Sequence, residues 1–167
     1  MPQTEENLKA AFAGESQANR RYLAFAKKAD EEGHSQIARL FRAAADAETV
    51  HALNHLRVLG EVKSTEDNLV VAIGGEQHEF TKMYPEFVKQ AEAEGNKEAR
   101  ESFALANRVE KIHHQLYESA RAKLRAGAEL KESDYYVCQY CGNTVAGEPP
   151  AACPVCGRPK EWFKKVE

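Results

Sequence analysis

Glu48-Thr-Val-His51 sets a carboxylate and an imidazole three residues apart, and Glu110-Lys-Ile-His113 repeats the pair sixty-two residues later. Both lie in runs whose apolar residues recur at helical spacing, so each pair sits on one helix face, able to grip one metal ion. Two such half-sites in one chain imply a single site built from two copies of one unit.

The surrounding sequence supplies those units. From Thr4, read as an N-cap, Leu8, Phe12, Glu15, Tyr22, Phe25 and Ala29 follow helical spacing to about Gly33. Ser35 is read as the cap of a second helix whose stripe runs Ile37, Leu40, Phe41, Ala44, Glu48, His51, His55 and Leu59, ending at Gly60. Asp67 or Asn68 opens a third helix through Leu69, Ile73, Glu76, Glu79, Phe80, Met83 and Phe87 to about Gly95, with Pro85 expected to bend it. A fourth carries Phe103, Ala106, Glu110, His113, Tyr117, Ala120 and Leu124 to Gly127.

Glu15 corresponds to Glu76, Gly33 to Gly95, Phe41 to Phe103, Glu48 to Glu110 and His51 to His113. A repeat of two helical hairpins predicts an all-α four-helix bundle with a pseudo-twofold axis, in which Glu from two helices and Glu-x-x-His from the other two converge. The copies differ at Glu79, whose counterpart is Ala18, so the second half offers an additional carboxylate.

A glutamate on a helix is usually solvated. Here Glu15, Glu48, Glu76, Glu79, Glu110, His51 and His113 interrupt apolar stripes, and burying unpaired carboxylates costs several kcal/mol each. A multivalent cation removes that conflict, and a carboxylate-rich set with two imidazoles favours iron or manganese over zinc. His34, His78 and His114 read as surface residues, and His55, one turn beyond His51, as either a core neighbour or a hydrogen-bond partner of a ligand, with direct ligation the lesser alternative. Tyr22 and Tyr84 lie on the inward stripes, where either packing or a hydrogen bond to a ligand explains them.

Cys138-Gln-Tyr-Cys141 and Cys153-Pro-Val-Cys156 form two knuckles behind a short polar linker. The paired spacing points to one four-thiolate metal site, and spacing alone does not choose between zinc and iron. Tyr135, Tyr136, Trp162 and Phe163 would pack around it, and a two-metal carboxylate site needs an electron supply, which favours iron. A segment with so few apolar groups needs its metal to fold.

The charge of −3, with basic residues scattered among acidic ones, gives no electrostatic footprint for nucleic acid. No apolar run approaches the ~20 residues of a membrane span, and the start Met1-Pro-Gln-Thr-Glu-Glu lacks a signal-peptide pattern. A soluble cytoplasmic protein is expected. Its cysteines read as metal ligands, not disulfides.

The chain resembles the rubrerythrin family along nearly its whole length. The resemblance rests on Ala13-Gly-Glu15-Ser-Gln-Ala-Asn-Arg20-Arg-Tyr22, Glu48-x-x-His51, Gly75-Glu76-x-x-Glu79-x-x-x-x-Tyr84-Pro85, Glu110-x-x-His113 and the terminal Cys-Pro-Val-Cys-Gly-Arg-Pro-Lys-Glu-Trp-Phe segment. It implies a ferritin-like diiron four-helix bundle over 1–127, a linker over 128–134, and a small β- and loop-rich rubredoxin-like iron domain over 135–167. The eleven-residue gap between knuckles is much shorter than in free rubredoxins.

Carried over by position, Glu48 and Glu110 bridge two irons, Glu15 is terminal on the first, and Glu76 with His113 on the second. His51 and Glu79 exchange on the first iron with oxidation state. Cys138, Cys141, Cys153 and Cys156 hold a third iron, with zinc an occupant on recombinant expression. The implied activity is reduction of hydrogen peroxide to water, with electrons entering singly through the cysteine-bound iron from an external rubredoxin or NAD(P)H-dependent reductase. Ferroxidase or iron-handling activity and redox sensing are the alternatives. A homodimer is expected. The short connection between Gly60 and Asn68 raises the further expectation that helices are exchanged between its chains.

Overall fold

The computed structural model describes residues 3–128 and 133–167; the Met1-Pro2 start and residues 129–132 of the expected linker lie outside the described residues. The chain falls into two compact units, Met1–Lys63 and Ser64–Glu167.

The first unit is a hairpin of α1 (Gln3–Glu31) and α2 (Ser35–Leu59). Thr4 is already inside α1, and at the start of α2 His34 takes the cap position without a side-chain cap bond. The hairpin closes on small residues: Ala26 and Ala29 of α1, and Ala38, Ala45 and Ala52 of α2, are buried. The α2 alanines recur every seven residues and so form one stripe along the helix. Asn19 Nδ2 crosses from α1 to donate to the Ala45 carbonyl at 2.8 Å and lies 2.9 Å from Thr49 Oγ1. Ile37 and Leu40 are exposed, Leu40 by 68 %, and so are Val50, Leu53 and Val58.

The second unit begins with α3 (Thr65–His78), two or three residues earlier than the sequence suggested. Ser64 is its N-cap: its hydroxyl oxygen accepts the Asp67 backbone N–H at 3.1 Å, while Glu66 and Asp67 suit the positive end of the dipole. Just before Pro85 the chain forms a π-helical turn over Glu79–Met83 and continues as α4 (Tyr84–Ala93), so the proline does not end the helical run. The Tyr84 N–H reaches back five residues to the Glu79 carbonyl. Pro85 has no N–H, and in an unbroken α-helix its ring would crowd the carbonyl four residues back. Helix α5 (Lys97–Arg125) follows, capped by Asn96, whose side chain accepts the Ala99 N–H at 3.1 Å.

The π-turn absorbs one extra residue. Tyr22 stands seven residues after Glu15, but Tyr84 stands eight after Glu76. At about 100° per residue, seven steps bring Tyr22 to within about 20° of the Glu15 line, whereas eight α-helical steps would swing Tyr84 about 80° away. A wider turn takes up the surplus. Beyond it the two hairpins are back in register. Tyr22, Phe25 and Phe41 have ring centroids 6.4, 6.2 and 5.6 Å apart, and Tyr84, Phe87 and Phe103 repeat this at 6.3, 6.4 and 5.4 Å.

The cysteine-rich end forms a three-stranded antiparallel sheet in the order β2-β1-β3, from β1 (Tyr135–Cys138), β2 (Thr144–Ala146) and β3 (Phe163–Lys165). Val137 pairs with Thr144, and Cys138 with Phe163. This sheet packs on α5: Val109 is buried with Cys138, Cys153 and Val155, flanked by Leu105, Ile112 and Phe163. Arg108 adds a hydrogen bond to the Pro154 carbonyl at 3.1 Å.

Candidate metal centres

Three clusters of metal-ligating side chains occur among the described residues: Glu15, Glu48 and His51 in the first unit; Glu76, Glu110 and His113 in the second; and the four cysteines. In each, the potential ligand atoms lie within 4.8 Å of one another.

The two Glu-x-x-His pairs close alike, as helical spacing requires. His51 Nδ1 is 2.9 Å from Glu48 Oε2, and His113 Nδ1 is 2.7 Å from Glu110 Oε2. Their surroundings differ. The His51 side chain is 54 % exposed and that of His113 26 %. The second ring nitrogen of His113 lies 2.9 Å from Thr144 Oγ1 on β2, and that hydroxyl donates to the Gly142 carbonyl at 3.2 Å.

Glu76 carries a buried carboxylate oxygen, Oε2, with no hydrogen-bond partner among the described residues. Burial, then the neighbouring Glu110 carboxylate, raises Glu76 to about 7. His113 is also raised, chiefly by its hydrogen bond to Glu110, against the opposing effect of burial. An orphaned anionic oxygen beside a second carboxylate and an imidazole is what a cation would satisfy. The donor set of each triad therefore fits part of a diiron site.

Glu79 stands outside the close triad. Its carboxyl is raised first by burial and then by the charge of Glu110, which places it beside the cluster without closing on it. Tyr84 is raised by burial, then by Glu79, Glu110 and Glu76, so its phenol faces the same carboxylates. Tyr22 is held in its aromatic triad. His34 and His78 are exposed and His55 is half-buried. His114 differs from the surface position expected of it: its side chain is only 14 % exposed and packs edge-on against Phe80 at 5.3 Å.

The cysteine cluster is built by two matching turns. Gly142 and Gly157, with φ of 83° and 75°, turn the chain through the left-handed region so that their N–H groups reach the Cys138 and Cys153 carbonyls, both at 2.8 Å. Cys138 and Cys156 sulfurs are 3.7 Å apart and those of Cys141 and Cys153 3.6 Å. Four thiolates at about 2.3 Å from one ion stand about 3.8 Å from each other, so the geometry fits a tetrahedral metal. Burial pushes the Cys141 thiol up. Burial acts on Cys153 too, but backbone N–H groups of Cys156 and Val155 outweigh it and draw that thiol down to about 7.

Two features escaped the sequence reading. Leu105, Val109 and Ile112 form a second apolar stripe on α5, visible in hindsight from i, i+4, i+7 spacing, and it seats the cysteine domain. Thr144, three residues past Cys141, has no sequence signal that would connect it with His113.

The chain was then compared with known proteins. The family model described as rubrerythrin matches residues 6–121, and that described as the rubredoxin-like domain of rubrerythrin matches residues 136–164. Rubrerythrin-2 of Clostridium acetobutylicum is 36 % identical, with 96 % of this chain and 95 % of the relative covered. Nigerythrin of Nitratidesulfovibrio vulgaris is 38 % identical over 96 % of this chain and 85 % of its own length. A solved structure of fully reduced, all-ferrous nigerythrin matches 99 % of this chain and 88 % of that one, with a TM-score of 0.59 and 36 % identity. Together with a four-cysteine cluster and two carboxylate–histidine triads, these matches show an iron protein of known kind: the chain belongs to the rubrerythrin family.

Proposed function

We propose that this protein is a peroxidase that reduces hydrogen peroxide to water. The observation that carries the reading is the hydrogen-bonded contact between His113 and Thr144, which joins the loop of the four-cysteine cluster to a carboxylate–histidine cluster. A storage protein has no use for a built-in electron donor.

Glu15, Glu48, His51, Glu76, Glu79, Glu110 and His113 would hold two irons. Cys138, Cys141, Cys153 and Cys156 would hold a third. Bound there, the iron pair supplies both electrons that O–O cleavage needs at once, and the cysteine-bound iron restores them singly.

The chain's own groups hold and move the protons. The proton that Glu76 keeps to about pH 7 in the metal-free site gives way to the metal, and the Tyr84 phenol beside Glu79 provides an O–H facing the same cluster. The outer edge of the cysteine cluster is formed by Cys141 and Cys156, half-buried where Cys138 and Cys153 are buried. An external rubredoxin or NAD(P)H-dependent reductase would deliver electrons there. In this reading residues 1–127, 128–134 and 135–167 act as diiron bundle, linker and electron-entry domain.

The site is completed by a second copy of the chain. From Leu59 at the end of α2 to Thr65 at the start of α3, six Cα steps span at most ~22 Å. In a bundle whose hairpins are related by a twofold across the helices, α2 leaves the ligand level about 16 Å below Glu48. Helix α3 enters about 16 Å above Glu76, some 33 Å away along the axis. The connection is too short for that return. The first hairpin of one chain therefore meets the second unit of its partner, covering the exposed Leu40, Val50 and Leu53.

Mixing reduced, iron-loaded protein with equimolar peroxide tests the activity. One peroxide consumed per two irons oxidised supports it, whereas slow oxidation with many irons accumulating per chain would indicate storage. Sedimentation and metal counting test the assembly: a dimer with four carboxylate-bound irons is expected, and a diiron-loaded monomer would refute the exchange.

A further inference from the structure

Arg158, two residues past the last cysteine, is fixed by both its backbone and its side chain. Its carbonyl accepts the Cys153 N–H at 2.7 Å, and its own N–H donates to the Cys156 sulfur. Its guanidinium carbon lies 4.4 Å from the centre of the Tyr140 ring and 4.9 Å from that of Trp162. Those two rings meet edge-on at 90°, with centroids 6.0 Å apart. A planar cation suits such a corner because it is attracted to each π face, and the rings restrict its rotamers before any partner arrives.

The corner is on the surface. Tyr140 is 43 % exposed and Trp162 39 %, although both rings would gain from burial. Arg158 is exposed too and has no carboxylate partner among the described residues. Lys160 and Lys165 of the same segment are paired, with Glu148 at 2.6 Å and Asp134 at 2.8 Å. Tyr140 and Arg158 also line a cleft of about 550 Å³ together with Cys156 and with Glu101 and Leu105 of α5. The Tyr140 hydroxyl donates to Glu101 at 3.5 Å, which holds the ring against that wall. An edge of the cysteine cluster thus opens beside the aromatic corner, and that edge is Cys156.

We propose that Tyr140, Arg158 and Trp162 form the docking surface for an electron-carrying protein, which presents a carboxylate to Arg158 and its redox group to the Cys156 edge. Tyr, Trp and Arg are the residues that dominate binding energy at protein interfaces, and a preordered cluster loses little side-chain freedom on docking. The unpaired guanidinium sets the sign of the partner, since it draws an acidic group and repels a basic one. Electrons then enter at Cys156, not at Cys141. One electron passes from the reduced carrier to the ferric cysteine-bound iron, which becomes ferrous, with no bond made or broken. The inference rests on the reading that this iron takes its electrons from outside the chain.

The test uses the full iron-loaded chain and two reduced donors: a free flavodoxin of net negative charge, as its hydroquinone, and the methyl viologen cation radical. Stopped-flow loss of the ferric–thiolate colour gives a rate constant for each donor without any peroxide. In the parent the flavodoxin rate should fall as salt rises. Arg158→Met should lower that rate about tenfold at low salt and flatten its salt dependence. Arg158→Lys should keep the salt dependence, and the viologen rate should not fall in either variant. A parent rate indifferent to salt, or an Arg158→Met variant that matches the parent with flavodoxin, would overturn the assignment. So would an equal fall with both donors, because Arg158 would then support the iron site without receiving a partner. A parent reduced by neither donor would refute electron entry through this iron and the docking with it, whereas a reducible parent with an unaffected variant refutes the docking alone.

Discussion

Glu76 and Glu110 share one cluster, with Glu76 burying an oxygen that has no hydrogen-bond partner among the described residues. Burial first, and Glu110 second, lift Glu76 to about 7, and His113 is raised in the same cluster. Both groups therefore have folded values above their unfolded ones. Each contributes stability that is full below its unfolded value and lost as pH rises through its folded value. Metal-free protein should melt at a falling temperature as pH goes from 5 to 8, and Glu76→Gln should flatten that slope. A melting temperature that is flat or rises over this range in the parent would contradict the account.

A divalent cation takes the place of those protons. Calorimetric titration with ferrous ion near pH 6, in two buffers of different ionisation enthalpy, should show net proton release, and less of it in Glu76→Gln. Equal heats in both buffers would mean that the site binds without displacing a proton.

The π-turn over Glu79–Met83 makes a prediction about the chain alone. Removing Lys82 restores the seven-residue spacing of Glu15 to Tyr22. With Pro85→Ala added to remove the ring clash, the variant should fold with helical circular dichroism near that of the parent. Removing Arg20 from α1 has no such slack to draw on. It rotates Tyr22 and Phe25 off Phe41 and should lower stability more than the Lys82 deletion does. Equal tolerance of the two deletions would show that the π-turn does not absorb the extra residue.

This turn also marks where the sequence was legible and where it was not. The four helices, the paired Glu-x-x-His units and the two cysteine knuckles were readable because each rests on local spacing, which helix and turn geometry fix within a few residues. The repeat even contained the sign of the π-turn, in seven residues from Glu15 to Tyr22 against eight from Glu76 to Tyr84. The face of α2 that closes its own hairpin was not legible: the small residues Ala38, Ala45 and Ala52 form it, while Ile37 and Leu40 of the expected stripe stay exposed within that hairpin. His114 was assigned to the surface because its contact with Phe80 crosses between helices, and the link from His113 to Thr144 spans thirty-one residues. No periodicity reports such a contact.

Cys138 is buried at the centre of the small domain, so Cys138→Ser should remove the third iron and loosen the sheet against Val109. The carboxylate and imidazole ligands of the helices are all still present in that variant. The variant should lose turnover with an external donor yet still undergo a single oxidation by peroxide after chemical reduction. Unchanged turnover would mean that electrons reach the iron pair by another route.

Anaerobic stopped-flow mixing of the fully reduced, iron-loaded protein with hydrogen peroxide addresses the central claim most directly. The account predicts rapid oxidation of both carboxylate-bound irons with one peroxide consumed per pair, followed by slower oxidation of the cysteine-bound iron as it refills them. Slow oxidation without stoichiometric loss of peroxide, or oxidation of the cysteine-bound iron ahead of the pair, would contradict it.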